Sequence, residues 1–314
     1  MAVTLAQAAL ASQNDLQRGV VEVFIDTSPV LDRIPLLDIQ GNAYAYNSEA
    51  TLPGVEFRAV NAAYAESTGT IVQTTAALVI LGGDADVDRF IVQTRGNVND
   101  QRAIQETMKS KAISLKWQDA FINGDTGVDA NSFDGLKKIL TGSQLVNTAG
   151  NGNNVVGAAG ADIDAFFDLL DQVIAAVPGG PDALYMNSAI LARIQSAGRR
   201  RMTISVGDRD DFGKQVAVYN GVPMYDIGNK GDGTPIIPQT ETQGASSVTS
   251  SIYAVRWSAS EASNGVAALN NGGIDVRDLG EQDAKAVLRT RIEWYTGLAM
   301  FGRGAARLKG ILNA

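Results

Sequence analysis

The sequence predicts an α+β protein, and three observations carry that prediction. Residues 97–123 hold a helical period over one long uninterrupted stretch. β-rich runs lie to either side of it instead of alternating with helices. No βαβ unit repeats along the chain, so a doubly wound parallel sheet is not expected.

Taken in order, residues 3–25 read as a loosely amphipathic arm, with Leu5, Ala9, Leu16 and Val20 spaced for one helical face. Pro29 and Pro35 are expected to hold the next segment extended, because proline disfavours helix at the residue before it. From Asn42 the character is β. Tyr44 and Tyr46 alternate with small residues, Pro53-Gly54 and Ser67-Thr68-Gly69 supply turns, and Thr70 to Leu81 is a second β-rich run. This is a long exposed hairpin with little core of its own, and such a hairpin is marginal unless it lies against something.

The helical stretch has candidate caps in Asn97, Asn99 and Asp100 and a stop at Asn123-Gly124. Ile104, Met108, Ala112, Leu115 and Ile122 form its expected apolar face. At 1.5 Å per residue it would reach roughly 35–40 Å and act as a rod.

Gly142 to Gly160, rich in Gly and Asn, reads as a loop or linker. A second helix is expected with its cap at Asp162 and an apolar face of Phe166, Leu169, Leu170, Val173 and Ile174. Pro181 to Met186 reads as a short strand, and Ser188 as the cap of a third helix through Ile190, Leu191 and Ile194. Asn220-Gly221 sits between two β-rich runs as a hairpin turn favouring positive φ. Ile252 to Trp257 reads as a strand, and Val266–Leu269 with Ile274–Val276 as a hairpin about Asn270-Asn271-Gly272-Gly273. Ala286 to Phe301 reads as one long strand, with Leu288, Thr290, Ile292 and Trp294 on one face and Arg289, Arg291 and Glu293 on the other.

Composition narrows the chemistry. The 314 residues suit one large or two modest domains, and 45% hydrophobic against 19% charged residues is a globular balance. There is no cysteine and no histidine. Disulfides, thiolate nucleophiles and cysteine-held zinc or iron–sulfur centres are excluded, along with the commonest general base near neutral pH. No cofactor and no catalytic activity are expected. A net charge of −8 gives no overall attraction to nucleic acid. The charge is uneven: residues 1–108 carry six Arg, no Lys and thirteen acids (6 − 13 = −7), while residues 281–314 carry six basic residues and three acids (6 − 3 = +3). An acidic front and a basic tail suit head-to-tail contact between copies, although charges that merely keep the surface soluble would read the same way. The first basic residue is Arg18, so no export signal is read, and no apolar run is long enough to span a bilayer.

The remaining patterns have plain readings. Gly150-x-Gly152 has the wrong spacing for a dinucleotide loop. Asp84, Asp86 and Asp88 alternate on one strand face, but the calcium-loop positions for Gly and Glu hold Arg89 and Arg95, so an acidic strand edge is expected. Asp208, Asp210 and Asp211 fail the same test at Phe212. Arg199-Arg200-Arg201 is the strongest basic cluster and suits a subunit contact better than DNA in so acidic a chain.

Several segments, in order, resemble the major capsid proteins of tailed bacteriophages, the Hong Kong 97-type shell fold. They are Ala120-Phe-Ile-Asn-Gly-Asp125 with Phe133-Asp-Gly-Leu136, Ala183-Leu-Tyr-Met-Asn-Ser188 leading to Ile190, Asn220-Gly-Val-Pro-Met-Tyr225, and Arg289 to Trp294 with Ala305-Ala-Arg-Leu-Lys-Gly310. The resemblance runs over roughly residues 20–312. It implies an N-terminal arm (1–41), an extended β-hairpin loop (42–82), a peripheral domain (83–140 with a spine helix at 97–123, and 266–314) and an axial domain (141–265). Subunit contacts are expected at Tyr44, Tyr46, Phe57, Arg58, Arg199, Arg200, Arg201, Arg289 and Arg291. Pentamers and hexamers of this chain would close around DNA held without sequence specificity, as the head of a virion assembled in the bacterial cytoplasm. Portal protein, a separate scaffolding protein and a decoration protein are the expected partners, and no membrane is. Some family members weld their subunits through a lysine in the extended loop. The first lysine here is Lys109, so a non-covalent shell is expected. An encapsulin compartment of the same fold is the first rival, and a small carboxylate-based enzyme the second.

Overall fold

Thr290, Ile292 and Trp294 turn inward from β14 (Lys285–Phe301), as their alternation with charged residues predicts, and are buried. In this computed structural model, which describes residues 28–95, 101–157, 160–201, 205–209 and 215–313, β14 is central to a four-stranded sheet. It pairs antiparallel with β13 (Gly265–Gln282) and with β4 (Val79–Asp88), and β1 (Leu36–Asp38) runs parallel to β13 on the far side. A short helix, α1 (Arg89–Arg95), follows β4. Asp88 Oδ1 caps it by accepting from Phe90 N–H at 2.7 Å.

The rod is α2 (Gln101–Asn123), and its proposed caps at Asn97, Asn99 and Asp100 lie outside the described residues, as do the arm at 3–25 and the Asp210-Asp211 pair. Its orientation corrects the expectation for the first half of the apolar face, while Leu115 is half-buried and Ile122 is buried in the core as expected. Ile104 and Met108 are 43% and 59% exposed, and Ala112 is exposed as well. The buried face carries Glu106, Ser110, Ser114 and Gln118 beside Ile113, Trp117 and Phe121. Periodicity marks an apolar stripe but does not say what the stripe faces. Here the sheet offers hydroxyls, and the polar side of the helix takes them. Trp117 Nε1 donates to Thr296 Oγ1 at 3.0 Å, and Thr290 Oγ1 donates to Glu106 Oε1 at 2.6 Å. Arg102 reaches both Thr290, at 2.8 Å, and Asp278, at 2.6 Å.

A second sheet has nine strands. Its path runs β5 (Leu145–Asn147), β15 (Ala305–Leu312), β12 (Ser246–Val255), β7 (Ala183–Met186), β10 (Val222–Asp226), β9 (Gln215–Tyr219), β8 (Ser205–Arg209). β11 (Glu241–Gln243) joins β12, and β6 (Asn153–Asn154) joins β15. The period of two sorts the sheet's side chains into two cores. Ala183, Tyr185, Tyr253 and Val255 join α2 and the four-stranded sheet. Leu184, Met186, Ile252 and Ala254 face α4 (Gly160–Ala175) and α5 (Ser188–Arg201). The short helix α3 (Leu136–Ile139) closes the first core through Leu136.

Five further expectations are corrected. Ser28–Arg33 is a turn and not an extended segment: Ser28 Oγ accepts from Leu31 N–H at 3.2 Å, with Pro29 at the first helical position where its missing N–H costs nothing. The stretch 142–160 contributes β5 and β6 to the second sheet, strands too short to leave a pattern. Gly152 is required there, since at φ +113° a Cβ would stand 2.7 Å from Gly310 O, so the Gly-x-Gly pattern serves packing. Helix α4 begins at Gly160, which puts Asp162 in its first turn, and α5 is capped by Asn187, whose Oδ1 accepts from Ala189 N–H at 2.8 Å, and not by Ser188. Residues 266–276 form no hairpin. They lie on the single strand β13, with Asn270 opposite Thr296 and Ile274 opposite Trp294, so extra residues loop out as a bulge. Asn270 holds it, donating to Asp38 Oδ1 at 2.5 Å and accepting from Trp294 Nε1 at 2.9 Å and Gly273 N–H at 3.2 Å. The Asn220-Gly221 turn stands as read, with φ of 48° and 81°. Among the described residues no helix is long and apolar enough to cross a membrane.

Candidate assembly surfaces

The hairpin at 42–82 is a two-stranded ribbon of β2 (Ala43–Thr51) and β3 (Thr70–Ala77), paired from Ala43↔Ala77 to Thr51↔Thr70. Its two ends differ. At the base, Tyr46 is buried on Phe301, with ring centroids 5.1 Å apart, in a small core with Ile39, Leu269 and Ala299. Tyr44 stacks on Tyr46, and its hydroxyl donates to Glu261, a bond that pushes the phenol up to about 12. Two residues expected at subunit contacts therefore anchor the ribbon to its own chain.

The outer part, by contrast, faces solvent. Val55 is 95% exposed, Phe57 is fully exposed, and Leu52, Val60 and Ile71 are also open. The tip is nonetheless braced. The Arg58 guanidinium lies 5.2 Å from the Tyr64 ring and donates to Ala62 O at 3.2 Å. Glu56 Oε1 accepts from Ala65 N–H at 2.7 Å, and Ser67 Oγ donates to Gly54 O at 3.0 Å. A braced loop loses less conformational entropy on docking. The geometry is a preformed apolar tip projected from an anchored base.

On the outer face of the four-stranded sheet, Arg289 and Arg291 meet two of the alternating aspartates. Arg289 forks onto Asp86 with both bonds at 2.6 Å, and Arg291 onto Asp84 at 2.7 and 2.9 Å. β4 is the edge strand, as the acidic run implied, but Asp84 and Asp86 are neutralised across the register Asp86↔Arg289, Asp84↔Arg291. The Arg291 and Arg289 hydrogen bonds hold the Asp84 and Asp86 carboxyls below their ordinary value. A carboxyl depressed by folding contributes stability above its unfolded pKa, about 4, that is lost as pH falls through the folded value. An Asp84→Asn/Asp86→Asn double variant is accordingly expected to melt below the wild type at pH 7. The difference should shrink at pH 3 and in 0.5 M salt, as thermal scans would show. Melting differences equal at both pH values would rule out the pairing.

Arg199, Arg200 and Arg201 stand exposed at the end of α5, where Arg201 pairs with Asp164 of α4 at 3.0 Å. A buried cluster escaped the sequence reading altogether. Arg307 on β15 donates to Glu241 Oε1 on β11 at 2.7 Å and to Ser251 Oγ on β12 at 3.0 Å, with both ionic side chains under 10% exposed. No short motif could announce it, because 66 residues separate the ionic partners. Among the described residues no cluster of three or more carboxylates that could hold a metal ion occurs.

The family model Major capsid protein GP7 matches residues 12–166. No curated protein sequence matches. Among solved structures, the SrpI encapsulin of Synechococcus elongatus PCC 7942 superposes with a TM-score of 0.66 at 17% identity, over 91% of this chain and 88% of that one. The capsid of a native GTA particle gives 0.61 at 16% identity, over 91% and 90%. A structure from Mycobacterium phage Bobi gives 0.57 at 14%, over 90% and 89%.

Proposed function

We propose, from the premise that this chain is a phage major capsid protein of the Hong Kong 97-type fold, that it closes a head shell by clasping its neighbours with the ribbon tip. The observation that carries the clasp is the tip itself, apolar, braced and uncovered in a single copy. Heterologous contacts that close make rings, and pentamers and hexamers of one chain tile an icosahedral container. The part of the nine-stranded sheet within 141–265, with α4 and α5, serves as the axial domain about the ring axes, and β15, from the closing segment, completes that sheet. The four-stranded sheet with α2 serves as the peripheral domain. Each contact is modest, and their number on every subunit makes the container stable.

The shell works as a structural container and not as an enzyme. It encloses double-stranded DNA whose phosphates meet a net-negative protein, so the genome is held by confinement. A portal protein, a separate scaffolding protein and a decoration protein complete assembly in the bacterial cytoplasm. The SrpI likeness keeps one second reading, an encapsulin shell around a protein cargo. Electron microscopy of the purified chain tests the main reading, with closed icosahedral particles expected and a monodisperse monomer overturning it. Co-purified DNA, portal and tail proteins, as against a packaged enzyme, separate the two containers.

A lysine-free ribbon makes the shell non-covalent. Boiled particles should run on a denaturing gel as a single 33.0 kDa band. A ladder of multiples would show a weld between subunits.

A further inference from the structure

The inverted face of α2 has consequences outside the single chain. Ile104, Met108 and Ala112 point outward at a spacing of four, and half-buried Leu115 continues the same line. At 1.5 Å per residue the stripe is roughly 16 Å long, about three helical turns. On one flank, along the edge strand β4, an open groove is lined by Met108, Lys109 and Ala112 of the helix and by Asp84, Ala85 and Asp86 of the strand, the two carboxylates being taken up by Arg291 and Arg289.

The stripe is bordered by cations. At 100° per residue, Lys111 falls on one side of it and Lys109 and Lys116 on the other. Among the described residues Lys111 and Lys116 make no ion pair. The acids of this helix already have partners: Glu106 is buried against Thr290, and Asp119, which continues the stripe after Leu115, pairs with Lys230 at 3.1 Å. An apolar line between lysines is the complement of an amphipathic helix with an apolar stripe and acidic flanks.

We infer that α2 is a docking strip for such a helix from a separate protein. A second copy of α2 is a poor occupant, because it would set lysine against lysine. Nucleic acid would leave Ile104 and Met108 unsatisfied, since it has no apolar stripe to offer. The strip is too small for a tight one-to-one complex. Many strips in one shell bind a multivalent partner strongly, yet each releases easily, which suits a protein that joins assembly and then departs. The inference rests on the shell reading for that multiplicity alone.

The absence of cysteine makes the test clean, because Met108→Cys introduces the sole thiol. Maleimide labelling is followed in free subunits and in particles, with and without a millimolar synthetic 18-residue helical peptide. The peptide carries leucines at i, i+4, i+8 and i+11 with glutamate flanks, and a twin carries lysine flanks. The thiol should label readily in free subunits and in empty particles. The glutamate peptide should slow labelling at least fivefold and the lysine twin should not. Lys111→Glu/Lys116→Glu should reverse that preference. Protection in free subunits without peptide would mean that the chain covers the strip itself, and protection on assembly alone that a neighbouring copy does. Either result overturns the inference, as does an equal response, or none, to the two peptides. Particle formation is scored separately by microscopy, so the shell reading survives or fails independently.

Discussion

Phe57→Asp is expected to yield a folded subunit that forms no closed shell. Phe57 is fully exposed in the single chain, so the substitution removes no intramolecular packing, and the change in subunit stability should stay within about 0.5 kcal/mol. In the proposed clasp the same ring is buried against a neighbour, which would stabilise each contact by roughly 1.5–3 kcal/mol. A carboxylate there forfeits that term and adds the cost of burying an unpaired charge. Every subunit both gives and receives one such contact, so the loss recurs around the whole shell. Light scattering and negative-stain microscopy should show species no larger than single rings, while circular dichroism and the melting temperature match the wild type. Phe57→Leu should restore particles, because it keeps most of the apolar surface. Normal shells from Phe57→Asp would remove the tip from the assembly contact.

The sequence made the secondary structure of this chain largely readable and its pairing much less so. The period of two in β14 correctly turns Thr290, Ile292 and Trp294 inward, since a half-buried strand must alternate. Asn220-Gly221 is read correctly because few residue pairs tolerate two positive φ values. What failed depended on partners. The part of the α2 stripe from Ile104 to Ala112 was found but assigned to the wrong side, because hydroxyls on β14 satisfy the polar side of the helix and no local pattern reports them. The loop at 270–273 has hairpin chemistry, yet Asn270 bonds across to Trp294 and Asp38, and the chain continues along the same strand past a bulge. Among the assembly residues, Tyr44 and Tyr46 carry the same exposed-looking alternation as the rest of the ribbon. Only the position of Phe301, some 250 residues away, turns them into an anchor. The Asp84/Asp86 run did hold a retrievable signal: an Asp-x-Asp and an Arg-x-Arg strand pair naturally when antiparallel, and the register here sets them face to face.

The largest loss of subunit stability is expected from Glu241→Ala. Glu241, Ser251 and Arg307 join three adjacent strands, β11, β12 and β15, at the point where the β12–β15 register shifts between Ser250 and Ser251. The Arg307 guanidinium also lies 5.5 Å from the buried Tyr253 ring. Removing the carboxylate leaves a guanidinium buried without its counter-charge, which costs about 3–5 kcal/mol. Arg307→Met should cost less, because Lys137 Nζ stands 3.9 Å from Glu241 on a half-exposed side chain and can turn toward the orphaned acid. Replacing both together, Glu241→Leu/Arg307→Met, removes both desolvation penalties at once and should come out near neutral. Urea unfolding in the Phe57→Asp background, where subunits stay apart, gives all three values free of assembly. A Glu241→Ala loss below about 1 kcal/mol would mean that water reaches the cluster. A double variant worse than either single one would mean that the pair fixes the strand register, a role that matched hydrophobic volume cannot replace.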